Sequence, residues 1–226
     1  MESEYSRELS RQVKEYYATR ARVYDQTAGY DDQIAEKLRL PAKKRIQAIL
    51  KGRKVLEIAC GTGYWTDVAS RSASSVLATD INPEMLCLAA QRLQGRQNVD
   101  LQIADAYHLT AIPANFSAGF AVWWWSHIPR ERVIDFLEVF HGKLLPGAVV
   151  LFADQLPDAY IPEYVFQDNS GNNLERRTLP EGIKFDIVKN YPSQQDLLHL
   201  LKGWAKRIRY YENKREKNWY LTYLLK

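Results

Sequence analysis

From residue 53 to residue 153 the sequence alternates between short apolar runs and amphipathic stretches, and this alternation restricts the possible folds more than any other feature. The apolar runs predict five strands, at 53–58, 75–80, 98–103, 116–124 and 147–153. The stretches between them predict helices at 64–72, 83–94 and 129–144. Strands that alternate with helices are joined by right-handed crossovers, so the pattern predicts a doubly wound, mostly parallel α/β sheet with helices on both faces.

The C-terminal part of the chain changes pattern. Residues 193–203 predict a helix capped by Ser193, and two strand-like runs follow at 205–212 and 217–225. The short connection "KRE" between these runs favours antiparallel neighbours. The expected sheet therefore has seven strands, with an antiparallel pair at its C-terminal end.

Two segments lie outside the alternation. Residues 3–24 have apolar positions at helical spacing, and a second helical stretch spans about 31–50, where Pro41 is expected to interrupt or restart the helix. In residues 155–191, "NLERRTL" and "IKFDIVKNY" flank "PEG", which predicts an inserted hairpin near the C-terminal edge of the sheet.

Composition sets further limits. The chain has 226 residues, of which 46% are hydrophobic, but no apolar run approaches the ~20 residues that cross a bilayer. The N-terminus is too polar for a signal peptide, and Cys60 and Cys87 lie in apolar stretches, so we expect a cytoplasmic protein with buried, reduced thiols and no membrane partner. Cysteine and histidine spacing predicts no metal site. The 31 basic and 27 acidic residues give a net charge of +4, a surplus too slight to imply a polyanionic partner, so charge does not exclude nucleic acid but no feature indicates it.

The stretch "VLEIACGTGYW", residues 55–65, predicts a strand that ends in a tight turn of small residues, where a ligand can approach the backbone. A dinucleotide-binding turn needs G-x-G-x-x-G, but this turn lacks the third glycine and has bulky Tyr64 and Trp65 at the start of the helix. No Gly-Lys-Ser/Thr follows, which excludes a P-loop. The turn therefore disfavours a pyrophosphate ligand.

The segment from Glu57 to Gly63, "EIACGTG", resembles motif I of the class I S-adenosylmethionine (SAM)-dependent methyltransferases, acidic-x-Gly-x-Gly-x-Gly, with Ala59 in the first glycine position. Four further segments resemble later motifs of the family in the family's order: "VLATDINPEML", "ADAYHL", "FAVWWWSHIP" and "LLPGAVVLFADQ". The resemblance covers about 50–226. It implies a Rossmann-like fold, SAM as cofactor, S-adenosylhomocysteine (SAH) as product and methyl transfer as the reaction.

The resemblance also implies roles for single residues. Asp80 would accept hydrogen bonds from both ribose hydroxyls, Asp105 and the Ala106 N–H would meet the adenine, and Glu57 would face the amino group. A carboxylate at a strand end also caps helices, and Glu57 can be a structural pairing partner, so both alternatives stay open. The predicted cofactor set is Tyr17, Tyr24, Glu57, Ala59, Gly61, Thr62, Gly63, Trp65, Asp80, Ile81, Met85, Asp105, Ala106, Trp123 and Trp124.

The three consecutive tryptophans at the end of the fourth strand, Trp123–Trp125, suit a sulfonium because indole faces attract cations. A parallel strand is buried on both faces, so at least one indole is expected in the core. We predict that Trp125 contacts the methyl acceptor. Tyr17 and Tyr24 resemble the tyrosines with which the family's N-terminal helix closes over the cofactor. The resemblance therefore implies two parts of the chain, a helical lid (1–50) and a cofactor-binding domain (51–226) that carries the insertion 155–191 on the acceptor side.

The acceptor is less defined by the sequence. His127 is the first candidate for a general base and Asp154 the second, although His127 can equally satisfy a helix cap. "WWWSH" stands where methyltransferases of nucleic acid or glutamine carry Asn-Pro-Pro-Tyr, which favours a small molecule methylated on O or N. Inward-pointing Arg177 or Lys189 would favour an anionic acceptor, such as a carboxylate or phosphonate, with Tyr30 closing from the other side.

The alternatives are a nicotinamide-dependent oxidoreductase on a similar sheet, and a methyltransferase that acts on RNA or protein. The sequence leaves monomer and homodimer undecided.

Overall fold

A seven-stranded sheet forms the centre of the structure, a computed structural model that describes residues 4–157, 164–179 and 181–226. The strands in chain order are β1 (Lys54–Ile58), β2 (Ser75–Asp80), β3 (Val99–Ile103), β4 (Phe116–Val122), β5 (Leu144–Gln155), β6 (Tyr164–Gln167), β7 (Asn173–Thr178), β8 (Lys184–Val188), β9 (Ala205–Asn213) and β10 (Asn218–Leu225). The helices are α1 (Glu4–Arg20), α2 (Tyr24–Thr27), α3 (Gln33–Leu50), α4 (Tyr64–Ser70), α5 (Pro83–Arg92), α6 (Val133–His141) and α7 (Gln194–Leu201).

The order of the main sheet is β3-β2-β1-β4-β5-β10-β9. The pairs among β1–β5 are parallel, whereas β10 is antiparallel to both β5 and β9. This confirms the predicted fold class, including the antiparallel C-terminal pair. The chain order reverses between β1 and β4, and a doubly wound sheet binds its ligands at the carboxyl ends of the strands beside such a point.

Helices cover both faces of the sheet. On one face, a cluster that includes Phe136, Phe140 and Trp219 packs below α6 and α7. On the other, α3 contributes Ala42, Ile46 and Leu50, which lie on one stripe because they are spaced four residues apart. Helix α3 is continuous through Pro41, so the predicted interruption is wrong. Since α3 belongs to this core, the part of the predicted lid that lies outside the core is α1, α2 and the turn between them.

The inserted segment forms a separate three-stranded antiparallel sheet, β6-β7-β8. The predicted hairpin is β7–β8, and the sequence missed β6, whose few residues show no clear alternation. Residues 158–163 and Pro180, which belong to the predicted insertion 155–191, lie outside the described residues. Helix α1 packs on this small sheet, with Tyr16 beside Phe185 and Ile187, and Leu9 beside Leu174 and Val188. The insertion and α1 therefore form one cover.

Two local predictions are corrected. Strand β4 ends at Val122, two residues earlier than expected, because Trp123 has a left-handed φ of 60° that turns the chain out of the sheet. Cys60 is buried as expected, but Cys87 is exposed, because it faces away from the buried stripe of α5. In the described part of the chain, no helix is long and apolar enough to span a bilayer.

Candidate active site

A cavity opens at the carboxyl ends of β1, β2 and β4, and we call it the strand-end cavity. It brings together twelve of the residues that were predicted for the site: Tyr17, Tyr24, Ala59, Gly61, Asp80, Ile81, Met85, Asp105, Ala106, Trp123, Trp124 and His127. Arg7, Ser10, Val13 and Lys14 of α1 also line it. The sequence indicated none of them as site residues, because Arg7, Ser10 and Lys14 are polar positions of an amphipathic helix and Val13 is one of its apolar positions.

The glycine turn forms the floor of this cavity. Ala59, Gly61 and Gly63 all have left-handed φ, at 53°, 56° and 76°. A Cβ on Gly61 would meet no atom within 4 Å, so this glycine leaves open space for a ligand. A Cβ on Gly63 would lie 3.0 Å from Ala89 and Leu93, so Gly63 serves the contact between α4 and α5 instead. The predicted ligand contact of the Gly63 backbone stays a prediction.

Asp80 ends β2 with its carboxylate in the cavity. Its Oδ2 accepts the Gly61 N–H at 2.9 Å and its Oδ1 accepts the Asn82 N–H at 2.9 Å. Burial raises its pKa, while the backbone hydrogen bonds oppose the rise. Each oxygen retains acceptor capacity for a further donor. Asp80 therefore holds the glycine turn and also offers its carboxylate to a ligand.

The loop after β3 brings a second carboxylate to the same cavity. Asp105 accepts the Tyr107 N–H at 2.9 Å through Oδ1, and its Oδ2 lies 3.1 Å from Nδ1 of His108. Beyond Asp105 the guanidinium of Arg132 covers the ring of Tyr107, 3.6 Å from its centroid. Both of these residues line the cavity, which composition and spacing did not indicate.

The three tryptophans separate in the structure. Trp123 and Trp124 line the strand-end cavity. Trp125 is buried against Phe152 and Trp219 at centroid distances of 4.9 and 6.2 Å. The expectation that one indole lies in the core is correct for Trp125, and its predicted contact with the acceptor is wrong.

Three other predicted residues lie behind the cavity wall. Glu57 is 2% exposed and accepts a hydrogen bond of 2.6 Å from Thr66, so it pairs inside the fold and does not reach the cavity. Burial raises its pKa to about 8. Trp65 is buried, edge-on to Trp123, and Tyr30 stacks between Tyr64 and Trp123, with centroids 3.8 and 5.6 Å away. Glu57, Trp65 and Tyr30 therefore do not line the strand-end cavity, because hydrogen bonding or ring stacking inside the fold engages each side chain, and their predicted ligand contacts stay predictions.

Thr62 and Asp25 connect the N-terminal segment to the glycine turn. The Thr62 hydroxyl donates to Asp25 at 2.5 Å, and Arg92 of α5 binds both the second Asp25 oxygen and Thr62. Thr62 is 2% exposed and does not line the strand-end cavity, so its predicted contact with the cofactor stays a prediction. Its hydroxyl instead fastens α2 over the turn.

His127 lies at the centre of the site and is 7% exposed. Its Nδ1 is 2.7 Å from the carbonyl oxygen of Val188, which can only accept, so Nδ1 carries the proton. Its Nε2 is therefore an acceptor, and the Tyr17 hydroxyl lies 2.8 Å from it. Burial lowers the pKa of His127 well below its usual value, and the charges of Lys189 and Arg177 lower it further. The imidazole is therefore neutral at pH 7, and its Nε2 lone pair is taken up by the Tyr17 hydroxyl.

A second cavity adjoins the first and shares Tyr17, Tyr24, Trp123 and His127 with it. We call it the cationic cavity, because six basic residues line it with one acidic residue, Glu216: Arg20, Arg39, Arg177, Lys189, Arg215 and Lys217. The sequence indicated Arg177 and Lys189 only, since the other four come from distant segments that tertiary packing brings together.

Arg177 and Lys189 lie deep in this cavity, with side chains 12% and 3% exposed. Arg177 donates to Glu175 at 2.9 Å, and Lys189 donates to Ser126 at 2.8 Å and lies 3.7 Å from Asp154. Asp154 is fully buried and accepts hydrogen bonds from Ser126. The prediction of Asp154 as a base is corrected, because its oxygens anchor the segment that carries His127.

Comparison with known proteins agrees with this geometry. Residues 55–147 match the family model described as "Methyltransferase domain". The solved DhpI–SAH complex is 30% identical, covers 95% of this chain and 96% of its own, and superimposes with a TM-score of 0.75. A DhpI–SAM–HEP complex gives 30% identity and a TM-score of 0.73. The chain is a SAM-dependent methyltransferase.

Curated relatives of this methyltransferase are more distant. The malonyl-[acyl-carrier protein] O-methyltransferase of Pectobacterium atrosepticum is 26% identical over 168 residues, 72% of this chain and 64% of the relative. The ubiquinone biosynthesis O-methyltransferase of Xanthomonas campestris is 26% identical over 137 residues, 59% of this chain and 54% of the relative. The methyltransferase therefore spans less than two thirds of the length of either relative. Its cofactor is SAM, so the nicotinamide alternative is set aside.

Proposed function

We propose that this methyltransferase transfers the methyl group of SAM to an oxygen or nitrogen atom of a small anionic acceptor. The observation that carries the proposal is the junction of the two cavities around His127, with the cofactor side marked by Asp80 and the acceptor side by Arg177 and Lys189. In the DhpI–SAM–HEP complex a second molecule accompanies SAM, which supports two adjoining sites of this kind.

On the cofactor side, the residues present fit SAM. Asp80 has acceptor capacity for the ribose hydroxyls, and Asp105 with Ala106 offers an acceptor and an N–H for the adenine. The open space at Gly61 admits a ligand close to the backbone. SAM carries no phosphate, which agrees with a turn that lacks the pyrophosphate-binding pattern G-x-G-x-x-G. Trp123 and Trp124 face the cavity and can attract a sulfonium.

On the acceptor side, Arg177 and Lys189 supply charged donors that bind an anionic group. When bound, SAM supplies a methyl group that is already activated on a sulfonium, so the chain's own residues chiefly align the acceptor and exclude water. Nε2 of His127 accepts the Tyr17 hydroxyl, so the proton of an acceptor hydroxyl or amine would reach the neutral imidazole through that hydroxyl, which passes its own proton to Nε2 and takes up the one from the acceptor. An acceptor oxygen that is already ionised needs no such transfer.

The N-terminal segment acts as the lid of the site. Helix α1 lines the strand-end cavity, and its Tyr17 binds His127. Asp25 holds the following segment to the glycine turn through Thr62 and Arg92. Since the cofactor must enter and SAH must leave, this segment has to open during turnover.

The test compares two neighbouring arginines of β7. Arg177→Met removes a charged donor from the cationic cavity, whereas Arg176→Met removes the same charge from a residue that pairs with Asp186 and does not line the cavity. A panel of small carboxylates, phosphonates, alcohols and amines is assayed for methyl transfer from radiolabelled SAM. We expect the active acceptors to be anions and Arg177→Met to lower their kcat/KM by about 10- to 150-fold, the loss of one charged hydrogen bond.

SAH affinity, measured by calorimetry, should change by less than about threefold in both variants. The proposal of an anionic acceptor would be refuted if only neutral or cationic acceptors were methylated. It would also be refuted if the two variants lowered kcat/KM equally.

A further inference from the structure

The cationic cavity contains a second group of basic residues besides Arg177 and Lys189. Arg20 comes from α1, Arg39 from α3, and Arg215 and Lys217 from the turn between β9 and β10. These four residues and Glu216 form what we call the outer cluster. Four cations from three separate elements thus face the cavity that adjoins the methyl-transfer site.

The two groups differ in how their charge is balanced. The deep pair is matched inside the protein, because Arg177 lies 2.9 Å from Glu175 and Lys189 lies 3.7 Å from Asp154. In the outer cluster, Arg39 donates to the carbonyl oxygens of Ala28 and Gly29 and lies 3.8 Å from Glu36, so its charge is also matched. Arg20 donates to the hydroxyl of Thr27, a neutral acceptor, and the guanidinium of Arg215 forms no hydrogen bond or ion pair with any residue that the structure describes. Arg20 and Arg215 therefore line the cavity with positive charge that no carboxylate among the described residues pairs with.

The turn that carries Arg215 and Lys217 has a defined conformation. The side-chain oxygen of Asn213 accepts the N–H groups of Arg215 and Glu216 at 3.1 and 3.2 Å. Lys217 has a φ of 53°, the left-handed conformation that lets the chain reverse between the antiparallel strands β9 and β10. The turn is held beside Trp123, whose Nε1 donates to Asn218 at 3.2 Å.

Glu216 is the acidic residue of the cluster and offsets one of its four cations. Its Oε2 accepts a hydrogen bond of 2.6 Å from the Tyr220 hydroxyl, which directs the carboxylate to β10. The cavity itself has a volume of about 460 Å³, within the range of sites that hold whole small molecules and larger than one carboxylate or phosphonate group requires.

We propose that the acceptor carries two separated anionic groups, one bound by Arg177 and Lys189 beside the methyl-transfer site and the other by Arg215 and Lys217 of the β9–β10 turn. The class is a small molecule with a carboxylate or similar anion at each end. This inference rests on the proposed function and adds to it a second anion subsite. The competing explanation is that the outer cluster only attracts anions of any kind through its field.

The experiment measures carboxylate binding by calorimetry to the whole protein saturated with SAH. The probes are straight-chain dicarboxylates from succinate to pimelate and monocarboxylates of the same chain length. We expect one dicarboxylate length to bind at least tenfold more tightly than its matched monocarboxylate. Arg215→Gln should abolish this preference and leave monocarboxylate binding unchanged. Lys214→Gln, which removes the same charge from the same turn at a residue that does not line the cavity, should retain the preference.

Two results would overturn the inference. One is that no dicarboxylate binds more tightly than its monocarboxylate. The other is that Arg215→Gln and Lys214→Gln weaken both classes of probe equally, as a general field effect would. Failure of the proposed function would give a different result, because neither monocarboxylates nor dicarboxylates would then bind the SAH-saturated protein and the acceptor panel would show turnover of neutral or cationic acceptors alone.

Discussion

Substitution of Asp80 tests the cofactor site most directly, because its carboxylate has a structural role and a proposed binding role. The side chain is 7% exposed and holds the N–H groups of Gly61 and Asn82 at 2.9 Å each. In Asp80→Ala these two N–H groups lose their acceptor, and the ribose loses at least one charged hydrogen bond. A hydrogen bond to a charged group contributes about 1.5–3 kcal/mol, which corresponds to a roughly 10- to 150-fold weaker affinity for SAH.

The assay is calorimetric titration of SAH, with thermal unfolding recorded on the same samples. Asp67→Asn is the matched control, because Asp67 also binds neighbouring groups, Arg71 and Arg96, but does not line the strand-end cavity. We expect Asp67→Asn to lower the melting temperature without lowering the affinity for SAH. If Asp80→Ala keeps wild-type SAH affinity while it loses stability, Asp80 serves only the turn, and the proposed ribose contact is refuted.

Three further predictions concern stability and motion. Burial raises the pKa of Glu57 from its ordinary 4.5 to about 8, so the folded protein retains a proton that the unfolded chain releases. Stability should therefore fall between about pH 4.5 and 8, by about 1.4 kcal/mol per unit, and chemical denaturation of Glu57→Gln should show a flatter profile than wild type. A Cβ on Gly119 would lie 2.4 Å from the buried ring of Phe140, so Gly119→Ala should destabilise by about 1–3 kcal/mol in the same assay. The open position Gly203→Ala is its control, and equal effects would contradict the packing argument. Finally, SAH should slow hydrogen exchange in residues 5–30 but not in β1 or β5, and uniform slowing would argue against a lid.

The local pattern of apolar and polar residues was sufficient to predict the main strands and helices of this protein. Strands such as β1 and β2 are buried on both faces and read as continuous apolar runs, and the turns between them carry glycine or proline at positions that require them. Asp80 and Asp105 were predictable as site residues because a parallel sheet places the carboxyl ends of its strands at one edge. Motif order then indicated the cofactor, since each motif is a short local segment.

Tertiary structure decided which side chains reach the ligand. Glu57, Tyr30, Trp65 and Trp125 have residue types that suit a site, but their neighbours in space take up their hydrogen-bonding or stacking surfaces. Spacing along the chain carries no information on such neighbours. The cationic cavity shows the converse, because Arg20, Arg39, Arg177 and Arg215 lie on four elements that are far apart in sequence. Only the packing of α1 and the inserted sheet over the strand ends brings these charges to one cavity.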